Sequence, residues 1–150
     1  MDESDRKIVR LLAADARRSL ADIGSAVELS PSAVNERIRR LVASGAIRRF
    51  TVDADPAALG LPILAFLWLS LRPEVDEDTF HAYAARHPAI AECHHVTGAW
   101  SYLVKVRVAA LSELEGFLAD LKAQGFLGRS ETILALSSPV MGPFAPGDAP

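Results

Sequence analysis

The sequence predicts an α+β protein with two modules, an N-terminal winged helix-turn-helix and a C-terminal ferredoxin-like βαββαβ sandwich. Three short amphipathic helix patterns separated by tight turns precede residue 46, and apolar strand patterns alternate with two helix patterns between residues 63 and 138. Residues 1–50 hold ten Lys and Arg against seven Asp and Glu, whereas residues 51–150 hold six against twelve. Unless the surface charge is scattered by chance, this asymmetry predicts separate modules and a polyanionic partner for the first.

The bulk composition indicates a folded protein of the cytoplasm. Half of the 150 residues are apolar, which favours a packed core over global disorder. Cys93 is the single cysteine, so the chain has no intramolecular disulfide framework and no cysteine-rich zinc site. The N-terminus has no apolar segment behind a basic start, and the apolar run 59–71 is interrupted by Gly60 and Pro62 and is too short to span a bilayer.

The first two helices are predicted from apolar residues spaced three and four apart. Ser4 or Asp5 is expected to cap the first helix, and Ser19 the second, because their side chains can accept from free backbone N–H groups. The inward stripes are Ile8, Leu11 and Leu12 in the first helix and Leu20, Ile23 and Val27 in the second.

The third helix is predicted to begin after the N-cap Ser30, with Pro31 at the first helical position, and to end at Gly45 in a left-handed conformation. Its inward face is expected to consist of Val34, Ile38, Leu41 and Val42. The following segment, 46–55, alternates apolar and polar residues, which predicts a wing strand beside the helices.

Two short helices joined by a tight turn, the second polar and basic outside, predict a helix-turn-helix that places one helix in the major groove. A solvated face or a dimerisation unit is the alternative interpretation. Arg37, at the edge of the apolar stripe, is expected to pair with Asp5 or another acid of the first helix. The predicted DNA-binding residues are Ser30, Ser32, Asn35, Glu36, Arg39, Arg40, Arg48 and Arg49, with the arginines on phosphates; Arg17 and Arg18 flank them.

The second half of the chain predicts strands over 61–73, 89–98, 100–109 and 129–139, and helices over 76–88 and 111–125. The inward residues of the last helix are expected to be Leu111, Leu114, Phe117, Leu118 and Leu121. The first strand is almost continuously hydrophobic instead of alternating, which indicates that both of its faces are buried. A second copy of the same sheet is the simplest cover, so the sequence predicts a homodimer.

The chain resembles the Lrp/AsnC, or feast/famine, family of bacterial and archaeal transcription regulators. The resemblance is carried by DESDRKIVRLL (2–12), LSPSAVNERIRRLVASGAIRRF (29–50), DADPAALGL (53–61), VTGAWSYLVKV (96–106) and SETILAL (130–136). It implies a DNA-binding domain over 1–53, a hinge over 54–62 and an effector-binding and oligomerisation domain over 63–138. The tail over 139–150 lies outside the resemblance, and its Pro and Gly content predicts that it is flexible. Related proteins are dimers that often form octamers or other even-numbered assemblies.

The resemblance also implies a small effector, commonly an amino acid, bound near the hairpin that here spans 97–102. The family pattern of Gly-x-x-Asp followed by an aromatic is matched by Gly98 and Tyr102, but Ser101 stands at the Asp position. That change removes a carboxylate that could bond an ammonium group. Trp100 is expected either to line the pocket or to pack between dimers. The effector-binding candidates are Thr97, Gly98, Ala99, Trp100, Ser101, Glu131 and Thr132.

The sequence predicts a DNA-binding regulator that responds to a metabolite and needs no cofactor. His94 and His95 are adjacent on a strand and point to opposite faces, so no metal site is expected there. One alternative is an enzyme similar to the sirohaem decarboxylases, although the Arg and Asn of that family's strand pair are absent from HHVTGAWSYLVKV. Another is a metabolite-binding protein without DNA recognition. The effector, the operator, activation or repression and the assembly size stay open.

Overall fold

The computed structural model describes residues 1–142. The chain divides into two compact units, Met1–Asp53 and Ala54–Pro139. Most of the tail predicted over 139–150 lies outside the described residues. Within the described part, no helix is both long enough and apolar enough to cross a membrane.

The N-terminal unit is a bundle of three helices, as predicted. The helices are α1 (Glu3–Ala14), α2 (Leu20–Val27) and α3 (Pro31–Ala43). Residues spaced at helical intervals bring one stripe of each helix into a common core, whose burial from water stabilises the unit. The buried core residues are Ile8, Leu12, Ile23, Val34 and Leu41.

Side-chain caps define where these helices begin. Ser19 and Ser30 cap α2 and α3, and Pro31 opens α3, all as predicted. The prediction for α1 was wrong, because its N-cap is Asp2. The Asp5 amide donates to the Asp2 carboxylate at 2.8 Å, and the Asp2 amide donates to the Asp5 carboxylate at 3.1 Å. This reciprocal capping box satisfies two N–H groups that a Ser4 cap would leave free.

Two predictions about the end of α3 have opposite outcomes. Gly45 has a φ of +75°, the left-handed conformation expected after the helix. The predicted wing is wrong, because residues 46–55 contain no strand. A strand needs a hydrogen-bonded neighbour, and the three-helix bundle provides none; the Ile47 amide instead donates to the Leu41 carbonyl at 3.0 Å. The apolar members of the pattern, Phe50 and Val52, are 53% and 84% exposed.

The C-terminal unit has the predicted βαββαβ order and ferredoxin-like topology. Its elements are β1 (Ile63–Leu71), α4 (Glu77–Arg86), β2 (Ile90–His95), β3 (Tyr102–Val108), α5 (Leu111–Ala123) and β4 (Leu127–Leu134). The four strands form one sheet in the order β2-β3-β1-β4, and each neighbouring pair is antiparallel. The last strand begins and ends a few residues earlier than predicted.

Alternate residues of the central strands face the two helices and form the core of this unit. Ala65, Leu67 and Leu69 of β1 and Val104 and Val106 of β3 are fully buried. They pack with Phe80 of α4 and with Leu114, Phe117 and Leu121 of α5. Dense packing of these alternate positions fixes the register of β1 against β3.

Three residues assigned to the inward helix faces were predicted wrongly. Leu20, the first residue of α2, is 36% exposed. Val42 of α3 is 44% exposed and Leu111 of α5 is 57% exposed. Val42 and Leu111 each lie roughly 90° around their helix from the centre of the buried stripe, at the boundary between core and solvent.

The other side of β1 carries Leu64, Phe66 and Trp68, which face away from α4 and α5. We call this side of the sheet the open sheet face. Phe66 and Trp68 are half-buried there, opposite Lys105 and Leu103 of β3. The near-continuous hydrophobic run of β1 therefore supplies both the helix-facing core and this second apolar surface.

Candidate DNA-binding surface and effector loop

The outer face of α3 is free because the helix is anchored from its opposite side. Val34 and Leu41 are buried against α1 and α2, while Ser32, Glu36 and Arg39 are exposed. An α-helix buried along one stripe leaves the remaining side chains directed away from the bundle. Such a helix can enter a major groove with its polar side first.

Arg37 does not belong to the free face of α3. Its Nη1 lies 2.6 Å from a carboxylate oxygen of Asp2 and 2.7 Å from one of Asp5, so it holds α3 to the start of α1. These hydrogen bonds from Arg37 hold the pKa of both carboxyls below the usual Asp range. The predicted pairing of Arg37 with acids of the first helix is confirmed.

The other four arginines of α3 and the segment that follows it remain at the surface. Arg39, Arg40, Arg48 and Arg49 are all exposed. Of these four, only Arg40 has a carboxylate of the described residues within 4.0 Å, and that contact, with Asp5, is at the limit of 4.0 Å. Guanidinium groups that are not paired within the protein are available to phosphate oxygens.

The N-terminal end of α3 presents the polar groups predicted to read bases. The Ser30 hydroxyl accepts from the Ala33 amide at 3.3 Å and lies 3.0 Å from the Ser32 hydroxyl. The Ser30 hydroxyl therefore already serves as the N-cap of α3, which uses part of its hydrogen-bonding capacity. Glu36 is exposed and Asn35 is half-buried one turn along. Their carboxylate and amide are groups that pair with base edges in the major groove.

The predicted effector hairpin is a closed turn between β2 and β3. The Val96 amide donates to the Ser101 carbonyl at 2.9 Å, and the Ser101 amide donates to the Leu69 carbonyl at 3.0 Å. Thr97, Gly98 and Ala99 are exposed at its tip, and Gly98 has a φ of +108°. The exposed backbone groups at the tip of the hairpin are therefore available to a ligand.

Arg129 of β4 is a residue of this region that the sequence interpretation missed. It donates to the Ala99 carbonyl at 2.7 Å, and its guanidinium carbon lies 4.0 Å from the centre of the Trp100 ring. A cation over an aromatic face is attracted to the ring's electron density. Only the pairing of β4 with β1 brings residue 129 beside this hairpin, so no local pattern could indicate it.

The two candidates on β4 do not share one face of the sheet. Glu131 pairs with Trp68 and Thr132 pairs with Leu67. Because successive residues of a strand point to opposite sides, Glu131 lies with the open sheet face and Thr132 with the helix side. Both are exposed, together with most of β4. Of these two candidates, Glu131 therefore lies on the open sheet face beside Trp68.

Residues 1–42 match the AsnC-type helix-turn-helix domain, and residues 64–143 match the Lrp/AsnC ligand binding domain. The chain belongs to the Lrp/AsnC family. It is a transcriptional regulator with a helix-turn-helix domain and a ligand-binding domain, and its relatives are HTH-type transcriptional regulators. The family assignment from the sequence is confirmed.

Relatives in archaea and bacteria extend over most of this regulator. The HTH-type transcriptional regulator FL11 of Pyrococcus horikoshii is 36% identical over 118 residues, which cover 79% of this chain and 78% of that one. LrpA of Mycobacterium tuberculosis is 31% identical over 134 residues, 89% of each chain. The crystal structure of the M. tuberculosis leucine response regulatory protein superimposes with a TM-score of 0.85 at 30% identity, covering 97% of this chain and 100% of that one.

Proposed function

We propose that this regulator binds double-stranded DNA sequence-specifically through α3 as a homodimer or larger even assembly. A small effector, an amino acid or a related metabolite, bound near residues 97–101 would bias the assembly and thereby the DNA affinity. The observation that carries the proposal is the exposed polar and cationic side of α3, with Arg39 and Arg40 facing outward and Arg37 drawn inward by two carboxylates. We further propose that the chain has no enzymatic activity, in keeping with its relatives.

Removing two of the exposed arginines tests the DNA contact. The Arg39→Ala/Arg40→Ala protein should bind every duplex more weakly, because phosphate contacts carry no sequence information. The association constant K falls as salt rises, and each phosphate contact adds about 0.9 to the steepness of log K plotted against log salt concentration. Losing two contacts should therefore make this plot less steep by about 1.8 per recognition helix. The measurement is fluorescence anisotropy of a labelled genomic duplex, selected by the wild-type protein, at several salt concentrations.

A matched control separates local contacts from net charge. Arg86→Ala/Lys122→Ala removes two positive charges from α4 and α5, where both side chains are exposed. We expect this variant to keep the wild-type salt slope. If the two double variants reduce DNA binding equally, or if neither does, α3 is not the surface that contacts DNA.

Base reading is tested separately from affinity. Asn35→Ala should change the preference between duplex sequences, since an amide can pair with adenine in two hydrogen bonds worth about 1–3 kcal/mol of discrimination. Sequence selection from a random duplex library, performed with wild type and variant, measures this. An unchanged selected sequence would assign Asn35 no role in base reading.

The open sheet face supports the homodimer. Phe66 and Trp68 lie half-buried at its centre, and a second sheet would remove their remaining apolar surface from water. Trp68→Lys should dissociate the assembly, because burying an unpaired ammonium is costly. Light scattering during gel filtration measures the mass, with Ala119→Lys on the exposed side of α5 as the control. A wild-type protein that is monomeric at micromolar concentration would refute the dimer.

The effector site is supported by the hairpin, whose tip is exposed and whose Ala99 carbonyl and Trp100 ring are held by Arg129. The carboxylate expected from the family pattern is absent, because Ser101 occupies that position. Native mass spectrometry of the purified protein should detect a co-purified metabolite. Added back to stripped protein, it should slow hydrogen exchange at residues 97–101; protection only elsewhere would remove the hairpin from the proposal.

A further inference from the structure

A cavity of the C-terminal unit lies apart from the hairpin tip. It has a volume of about 410 Å³ and opens between α4 and the edge strand β2. Pockets for small molecules have volumes of about 300–1,000 Å³. Its apolar part is lined by small or aliphatic side chains, Ala84, Ala85, Ile90 and Ala91. Three alanines leave room that larger residues at these positions would fill.

One end of this cavity is a chain of hydrogen-bonded polar groups. Tyr102 is 1% exposed, and its hydroxyl donates to the Glu77 carboxylate at 3.3 Å. The same hydroxyl lies 2.7 Å from His81 Nε2. Burial, with the nearby Glu77 carboxylate, raises the pKa of Tyr102 to about 12, so the phenol keeps its single proton. When the Tyr102 hydroxyl uses this proton to donate a hydrogen bond to Glu77, its oxygen accepts a hydrogen bond from His81 Nε2–H.

Two carboxylates lie beside the polar end of the cavity. Asp78 lies 3.9 Å from the other ring nitrogen of His81, and Glu77 adds a second carboxylate on the same helix. Both carboxylates adjoin the cavity through His81 and Tyr102, which line it. Glu92 is the carboxylate of the lining itself, and Lys105 bonds it at 2.7 Å. The lining includes no Lys or Arg among the described residues. Apart from the imidazoles of His81 and His95, the lining offers no cationic side chain to a carboxylate ligand, whereas the adjoining carboxylates are acceptors for an ammonium group.

Aromatic rings complete the polar end. The exposed His95 ring is stacked on Tyr102, with ring centres 4.9 Å apart and planes inclined by 19°. Phe80 covers Tyr102 from another direction at 4.9 Å. Flat rings beside carboxylates favour an organic cation, because the ring face attracts positive charge and the ring surface buries apolar carbon.

We propose that this cavity binds a small primary amine that has an apolar body and no carboxylate. The ammonium group would lie by Glu77 and His81, and the apolar body would extend along Ala84, Ala85 and Ile90. Such a ligand differs in class from the amino-acid effector proposed at the hairpin, since the carboxylate that defines an amino acid has no Lys or Arg partner in the described lining.

The probe is 2-phenylethylamine, tested by calorimetry on the full chain against L-phenylalanine and phenylacetate. The amine should bind with a Kd below about 1 mM, and the two carboxylates should bind at least about tenfold more weakly. Glu77→Gln should weaken the amine about threefold to fivefold, as expected for an exposed ion pair, while Glu115→Gln on α5 should not. Equal binding of all three compounds, or none by the amine, overturns the proposal.

Cys93 reports where the amine binds. It is the single cysteine of the chain and lines this cavity. Burial raises the pKa of its thiol, so alkylation by iodoacetamide is slow and sensitive to coverage. At ten times the Kd the amine should slow alkylation about tenfold, by occupancy. An unchanged alkylation rate under saturating amine would place the amine elsewhere and overturn the site.

The last test fills the cavity with a larger side chain. Ala85→Leu enlarges an exposed helical side chain inside the lining, and Ala119→Leu makes the same change on the exposed side of α5. The first should weaken amine binding at least about tenfold and the second should leave it unchanged; circular dichroism checks that both fold. Equal affinity in the two variants would contradict the assigned location.

Discussion

Replacing Gly24 by alanine should loosen the helix-turn-helix, although Gly→Ala changes inside a helix usually stabilise it. Gly24 is buried in α2, and a Cβ built on it would lie 2.5 Å from the Leu29 carbonyl oxygen. Real Cβ atoms do not come closer than about 3.0 Å to such an atom, so the turn before α3 must move by about 0.5 Å or more. The Leu29 amide also donates to the Gly24 carbonyl at 3.0 Å, which holds the two segments together.

The expected size of the effect follows from two opposing contributions. Forcing a methyl group against a fixed backbone costs about 1–3 kcal/mol. The higher helix propensity of alanine returns about 0.8–1 kcal/mol. Because a backbone carbonyl cannot turn away as a flexible side chain can, we expect a net loss of about 1–2 kcal/mol. For a domain of this size that loss corresponds to a Tm lower by about 5–10 °C.

Gly116 provides the matched control. It lies in α5, and a Cβ built there meets no atom within 4 Å, so Gly116→Ala should gain stability by about 0.5–1 kcal/mol. Thermal unfolding followed by far-ultraviolet circular dichroism measures both variants. DNA affinity should fall for Gly24→Ala alone, because the shifted turn carries the start of α3. A Gly24→Ala protein that melts at or above the wild-type temperature would refute the steric argument.

Three further outcomes are expected. Ser30→Ala should cost about 1 kcal/mol of stability by removing the cap of α3, measured by urea unfolding. Phe80→Ala should cost about 3–5 kcal/mol, because a fully buried ring leaves a cavity, and tryptophan fluorescence during unfolding should show it. The lowered pKa values of Asp2 and Asp5 contribute stability that is present above their ordinary value of 3.8 and is lost as pH falls through the folded values. Arg37→Gln should flatten this acid dependence in a pH series of thermal unfolding.

The elements themselves could be predicted where local chemistry decides them. Ser19 and Ser30 were recognised as caps because each precedes an amphipathic run, and Asp76 caps α4 in the same manner. The long apolar run of β1 likewise indicates a strand. At these positions the residue type and its immediate neighbours carry the structural information.

The errors arose where the outcome depends on distant residues. The pattern Ile47, Phe50, Val52 satisfies the rule for a strand, but a strand exists only with a partner, and none is supplied by three helices. The cap of α1 is an exception, because the capping box of Asp2 and Asp5 is local, although Asp2 also binds Arg37, 35 positions away. Arg129 could not be predicted as part of the effector region, because only the pairing of β1 with β4 brings it to the hairpin.

The position of β1 has a consequence for synthesis on the ribosome. β1 is the first strand of its unit to emerge, yet both of its neighbours, β3 and β4, are made later, and β4 begins only at Leu127. Until β3 is made, this nearly continuous apolar segment has two unsatisfied edges, and until β4 is made it keeps one, whereas the local contacts of the three preceding helices permit early folding. A nascent chain stalled before residue 127 should therefore recruit chaperones through Ile63–Leu71.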